Sequence, residues 1–184
     1  SAIYTVKAYE LIDRLGDAVA RPVLSLLVRS IIYASREDRI PEFRHYATAL
    51  AQFGKRRGTA CRPDELLGLP VPATLDRICT IPLPPIDIYR VLLTASGMAM
   101  LRYDTRVGEH VDRPVSHNAS WLDFTHMLTF ANAVHTLCTH DPSLWPQALL
   151  QMGCFLGRNA AFLQPEAEGG WEVEDPRQFL ALER

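Results

Sequence analysis

The chain has 184 residues, 48% of them hydrophobic, enough for one domain with a filled interior. Its 19 basic and 21 acidic residues leave a formal net charge of −2, which excludes the basic field that phosphate backbones require; the run Lys55-Arg56-Arg57 is too short to supply one. The longest apolar runs, Val23 to Val28 and Ala148 to Leu156, fall well below the roughly 20 residues of a bilayer-spanning helix, so neither nucleic acid nor a membrane is an expected partner.

The N-terminal stretch SAIYTVKAYELIDRLG lacks a long apolar h-region and a cleavage motif, so it reads as a helix rather than a secretory leader. Its apolar positions Ile3, Val6, Leu11 and Leu15 predict a helix from Ala2 to Leu15, ended by Gly16, with Asp17 placed to cap the next. About Ala18 to Ala34 is a mostly apolar helix whose Pro22 is tolerable if it lies in the first turn and otherwise makes a kink, and its density predicts a core position. Pro41 opens a third helix, with Phe43, Tyr46, Ala47, Leu50 and Phe53 on one face, closed by Gly54.

From Lys55 to Asp87, six prolines (63, 70, 72, 82, 84 and 85) predict a long ordered crossover of extended segments, with one short helical turn around Asp64 to Leu67. Asp87 to about Arg102 returns to helix through Ile88, Val91, Leu92, Ala95, Ala99 and Met100. A polar, turn-rich loop follows over about 103–119, and then the segment richest in signals, SWLDFTHMLTFANAVHTLCTH, from Ser120 to His140. Ser120 with Asp123 three residues on is a capping-box start. At 100° per residue Asp123, His126, Phe130, Ala133 and Leu137 share one side, and Phe124, Leu128, Asn132 and His135 lie roughly opposite. Apolar residues on both sides predict a helix buried all round, at the centre of its domain.

After Asp141-Pro142, Ser143 is placed to cap a helix reaching Leu163. Its Gly153 and Gly157 form a GxxxG spacing, which in this setting admits the backbone of a neighbouring element. Gly169-Gly170 breaks the chain before a short helix after Asp175-Pro176 that carries Phe179, Leu180 and Leu182. No convincing strand alternation occurs. The expected fold is all-α: a single-domain helical bundle of six to seven helices, its long Pro-rich crossover wrapping the outside. Cys61, Cys79, Cys138 and Cys154 show no CxxC pair and read as reduced, buried thiols of a soluble cytoplasmic protein.

Five of the six histidines fall between positions 110 and 140. Imidazole is both the commonest metal ligand and the side chain best placed to move protons near neutral pH. Glu109, His110 and His117 from the loop, with His126 from the helix below, therefore make a candidate metal set, for a transition metal such as iron. Asp123, His117 and His126 are the candidate catalytic groups, His126 as ligand or proton carrier and Asp123 orienting it. Arg106, Thr129, Phe130 and Asn132 are candidates to line a small-molecule, aromatic ligand. A plainer reading stands beside this one. A hydrogen-bonded structural histidine accounts for His126, solvent exposure for His140, and surface ion pairs for Asp104, Arg106, Glu109 and Arg113. No HExxH, GxSxG or phosphate loop is present.

The run HMLTFANAVHTL from His126 to Leu137 resembles the HxxT-plus-small-residue helices of the questin oxidase-like family, large helical proteins linked to oxygenative ring cleavage of aromatic polyketides. The likeness rests on His126, Thr129, Ala131, Ala133 and the apolar positions, with His135 where an arginine suits the family pattern better. It implies that His126 and Thr129 line a helical cavity, that the reaction class is oxidative, and that this chain is part of a longer protein. Two functions follow: an oxidoreductase or oxygenase-type domain, or a non-catalytic helical module that packs against a protein partner or a second copy of itself.

Overall fold

The computed structural model describes residues 2–34, 40–55, 58–109 and 120–164. Seven α-helices carry the described chain: α1 (Ala2–Leu15), α2 (Ala20–Ile32), α3 (Tyr46–Gln52), α4 (Val71–Thr80), α5 (Pro85–Leu101), α6 (Trp121–His140) and α7 (Trp145–Asn159). No strand forms among the described residues; Tyr103 and Leu163 make an isolated antiparallel bridge. There the Asp104 N–H donates to the Phe162 carbonyl (2.9 Å) and the Gln164 N–H to the Arg102 carbonyl (2.8 Å). The all-α expectation holds.

The helix boundaries follow local chemistry. Gly16 leaves α1 at φ 79°, a backbone conformation that disfavours a Cβ, while its N–H donates to the Ile12 carbonyl (2.8 Å). Asp17 opens a 3₁₀ turn, Asp17–Val19, and makes no side-chain cap, so α2 starts at Ala20 without one. Prolines stand at the first or second position of the 3₁₀ turns Pro41–His45 and Pro63–Leu66 and of α4, α5 and α7, where a missing N–H removes no helical bond. Ahead of α7, Asp141 rather than Ser143 is the cap. Its Oδ1 accepts from the Ser143 hydroxyl (2.6 Å) and N–H (3.0 Å), and these bonds hold the Asp141 carboxyl below its ordinary pKa.

The Pro-rich segment departs from expectation. It holds α4, a ten-residue helix with Val71, Leu75, Ile78 and Cys79 buried, where the sequence predicted only a turn near Asp64. Pro70, Pro72, Pro82, Pro84 and Pro85 all fall at helix ends or between helices, so they punctuate the segment without forbidding regular structure. Arg77 ties the preceding chain to α4, donating to the Ala60 carbonyl (2.7 Å), the Thr59 carbonyl (3.2 Å) and the Glu65 carboxylate (2.9 Å). The segment is part of the core, not a wrapping around it.

The centre is α7, not α6. It packs against α3, α4, α5 and α6, and it buries Leu149, Leu150, Met152, Cys154 and Leu156. The expected close approach of a backbone occurs at Gly157, where a Cβ would stand 2.7 Å from both N and Cα of Val71 at the start of α4; Gly153 faces side chains instead, Ile78 foremost. The polar groups inside are all partnered. Thr74 donates to the Leu69 and Pro70 carbonyls, Ser96 to Leu92 and Asn159 to Asp123, and no buried side-chain nitrogen or oxygen lacks a hydrogen bond among the described residues.

The pair α1–α2 stands outside this core. The apolar residues buried away from it, Val6, Ala8 and Ala133, lie on α1 and α6, the two helices through which the hairpin is anchored. The expected core position of α2 is overturned: none of its residues is buried.

Candidate functional site

The sequence directs attention to the start of α6. There the capping box forms as expected: the Leu122 N–H donates to Ser120 Oγ (3.2 Å), and the Ser120 N–H to Asp123 Oδ2 (2.8 Å). Asp123 also faces the Arg158 guanidinium on α7 (3.8 Å), while the Tyr103 ring packs at a tilt of 45° against Phe124 (4.7 Å between centroids) and approaches Trp121 at 6.4 Å. Burial, reinforced by the carboxylates of Asp123 and Asp104, pushes the Tyr103 phenol pKa upward. The arrangement is a polar clasp joining three helix ends; Arg158, which carries the charge across it, is visible in the sequence only as one arginine near a helix end.

His126 does not join this clasp. It is exposed, and its Nδ1–H donates to the Leu122 carbonyl one turn back (2.6 Å), so Asp123 and His126 each bond elsewhere and the expected orienting pair does not form. The physical reason is the register of α6. Phe124, Met127, Ala131, Val134 and Cys138, spaced three and four apart, are its core stripe, and the encirclement expected of position 126 is therefore absent. Thr129 is exposed too and donates to the Thr125 and His126 carbonyls, both at 3.2 Å. Thr136 and Thr139 likewise bond back to their own helix, so this face satisfies its hydroxyls internally.

The remaining candidates are dispersed. Phe130 is half-buried and packs edge-on against Phe155 (5.3 Å), as a core ring rather than a ligand platform. Asn132 is exposed. Arg106 grips Asp104 through two bonds of 2.9 and 2.8 Å, the surface ion pair of the plainer reading. His110, His117 and the side chain of Glu109 lie outside the described residues. Among the described residues no three His, Cys, Asp or Glu side chains converge as a metal site would require. All four cysteines are buried thiols, and burial with nearby Asp141 pushes that of Cys138 up to about 11, which makes it a poor nucleophile.

His126→Ala is accordingly expected to shift stability by no more than about 0.5 kcal/mol, the scale of exposed substitutions. Thermal unfolding checks this. A loss of several kcal/mol would mean that the imidazole belongs to a buried network.

The surface that departs most from ordinary expectation is the α1–α2 hairpin. Ten large apolar side chains between Tyr4 and Tyr33 are exposed, among them Val28 at 55% and Ile32 at 71%. The serines of α2 do not interrupt this surface chemically, since Ser25 and Ser30 donate to the Arg21 and Leu26 carbonyls of their own helix. A groove along α2 is lined by Arg21, Leu24, Ser25 and Val28. Exposed hydrophobics scattered singly are normal, whereas ten on two successive helices are more than that. Among the described residues no helix is long and apolar enough to cross a membrane. The chain matches no protein-family model, no curated protein and no solved structure.

Proposed function

We propose that this chain is a non-catalytic helical interaction module whose docking face is the α1–α2 hairpin. The observation that carries this reading is that α2, apolar along most of its length, has no buried residue, although α3 to α7 share one core. The bundle of α3 to α7 serves as the scaffold, and α1, seated on α6, holds the hairpin to it. Among the described residues the buried polar side chains of the scaffold are hydrogen-bonded within it. The oxidative reading rests on the resemblance over His126 to Leu137 and on Glu109, His110 and His117; no distance in the structure adds to it.

A photo-crosslinking amino acid at position 28, introduced into the full chain in its native cells, tests the proposal. One or a few sharp protein adducts are expected from position 28 and none from position 129 on the polar face of α6. If position 28 gives no adduct, or both positions give the same diffuse background, the docking reading fails.

A further inference from the structure

We infer that the α1–α2 hairpin is a detachable arm, opening off α6 as one unit while the bundle of α3 to α7 stays folded; the inference concerns how the hairpin is held and stands apart from what docks on it. No residue of the hairpin belongs to the central core, and its half-buried aliphatic residues Ile3, Ile12, Val23 and Leu27 do not pack against that core either. The hairpin meets the bundle chiefly through α1 on α6, whereas α2 packs on α1 and on the 3₁₀ turn between them. The side chains buried outside the core are a valine and two alanines, Val6, Ala8 and Ala133, and they serve the contacts of α1 with both of its neighbours. Hydrophobic stabilisation scales with the apolar area covered, so side chains this small hold the arm weakly.

The polar contacts do not add a tie. The ion pair of Lys7, the serine bonds of α2 and the Gly16 turn all close within the hairpin. By contrast α4, only ten residues long, sinks Val71, Leu75, Ile78 and Cys79 into the core beside α7 and cannot leave without opening it. Release of the hairpin breaks the α1–α6 seam alone, and such an opening lies below global unfolding in free energy. Helices of 14 and 13 residues are marginal in water without tertiary contacts, so the released arm also loosens its helical hydrogen bonds. Opening uncovers Ala133 and the inner side of α1, which adds to the apolar surface that the hairpin already exposes.

Hydrogen exchange of the full chain under native conditions is expected to show the hydrogen-bonded amides of α1 and α2 exchanging as one set, at least ~100-fold faster than those of α7, with α6 remaining slow. Phe124→Ala is expected to speed exchange in α7 and to leave the hairpin's rate unchanged, because the arm opens without the core. A thiol reagent reads the same opening from the other side of the seam. Ala133 and Cys138 lie on one helix and are equally buried, each 1% exposed. In Ala133→Cys the introduced thiol is expected to react at least ~100-fold faster than Cys138, each rate being divided by that of the same thiol in denaturant because burial holds the Cys138 pKa up at about 11. Equal exchange in the hairpin and α7, separate rates for α1 and α2, or a thiol at position 133 protected as well as Cys138 overturns the inference. These rates do not depend on the position-28 adduct, so docking and opening fail separately.

Discussion

Replacing Phe124 by alanine is expected to lower stability by about 4 kcal/mol, in the range found when a buried aromatic ring is deleted. The ring is fully buried, lies in the core stripe of α6 and packs against Tyr103, so its loss leaves a void beneath the clasp that joins α5, α6 and α7. In a chain of this length that corresponds to a fall of about 8–16 °C in melting temperature. Phe124→Leu restores most of the volume and should cost less than about 1.5 kcal/mol. Thermal unfolding of the two variants side by side measures the cavity separately from the loss of aromatic contact. A fall of under about 3 °C for the alanine variant would mean that the core does not close on this ring.

Gly157→Ala is the second large effect. The added methyl meets the N and Cα of Val71 at 2.7 Å and the carbonyl carbon of Pro70 at 3.1 Å, all backbone, and Pro70 and Pro72 stiffen that backbone. The start of α4 must therefore move off α7, at a cost of about 2 kcal/mol even after the better helix propensity of alanine is credited. Gly153→Ala is the control. Its methyl meets side chains rather than backbone, first the Cδ1 end of Ile78, so a smaller loss than at Gly157 is expected. Denaturation midpoints at unchanged slope would show the difference; equal losses at both glycines would dismiss the backbone contact as its cause.

Much of the architecture was legible because helix ends are local chemistry. Gly16, Pro41, the Ser120–Asp123 box and the break at Asp141 and Pro142 each act on atoms within a few residues, and the helices begin or stop at or close to them. The GxxxG of α7 was legible for a related reason, since a missing Cβ has meaning wherever a neighbour comes close. What escaped was the choice of neighbours. In α6 the stripe through Asp123, His126, Phe130, Ala133 and Leu137 and the stripe through Phe124, Met127, Ala131, Val134 and Cys138 both carry apolar groups, and the positions of α5 and α7 decide between them. That decision turned His126 and Thr129 outward and dissolved the described part of the expected site. In α2 apolar density pointed to a core position, but density does not say which neighbour takes an apolar face, and no residue of that helix is buried. The helix in the Pro-rich segment was hidden because prolines were counted rather than placed; each falls where a helix end tolerates it.

The position of α7 in the chain has a consequence for synthesis. Its most extensive partner is α4, and more than sixty residues separate Thr80 from Trp145. As the polypeptide leaves the ribosome, α3, α4 and α5 emerge before the helix that joins their apolar sides, and a loop of that length must close before their faces toward α7 are covered. The nascent protein thus stays adhesive until residue 159 is free of the exit tunnel, and fragments that stop short of α7 are candidates for chaperone capture or precipitation rather than for partial folding.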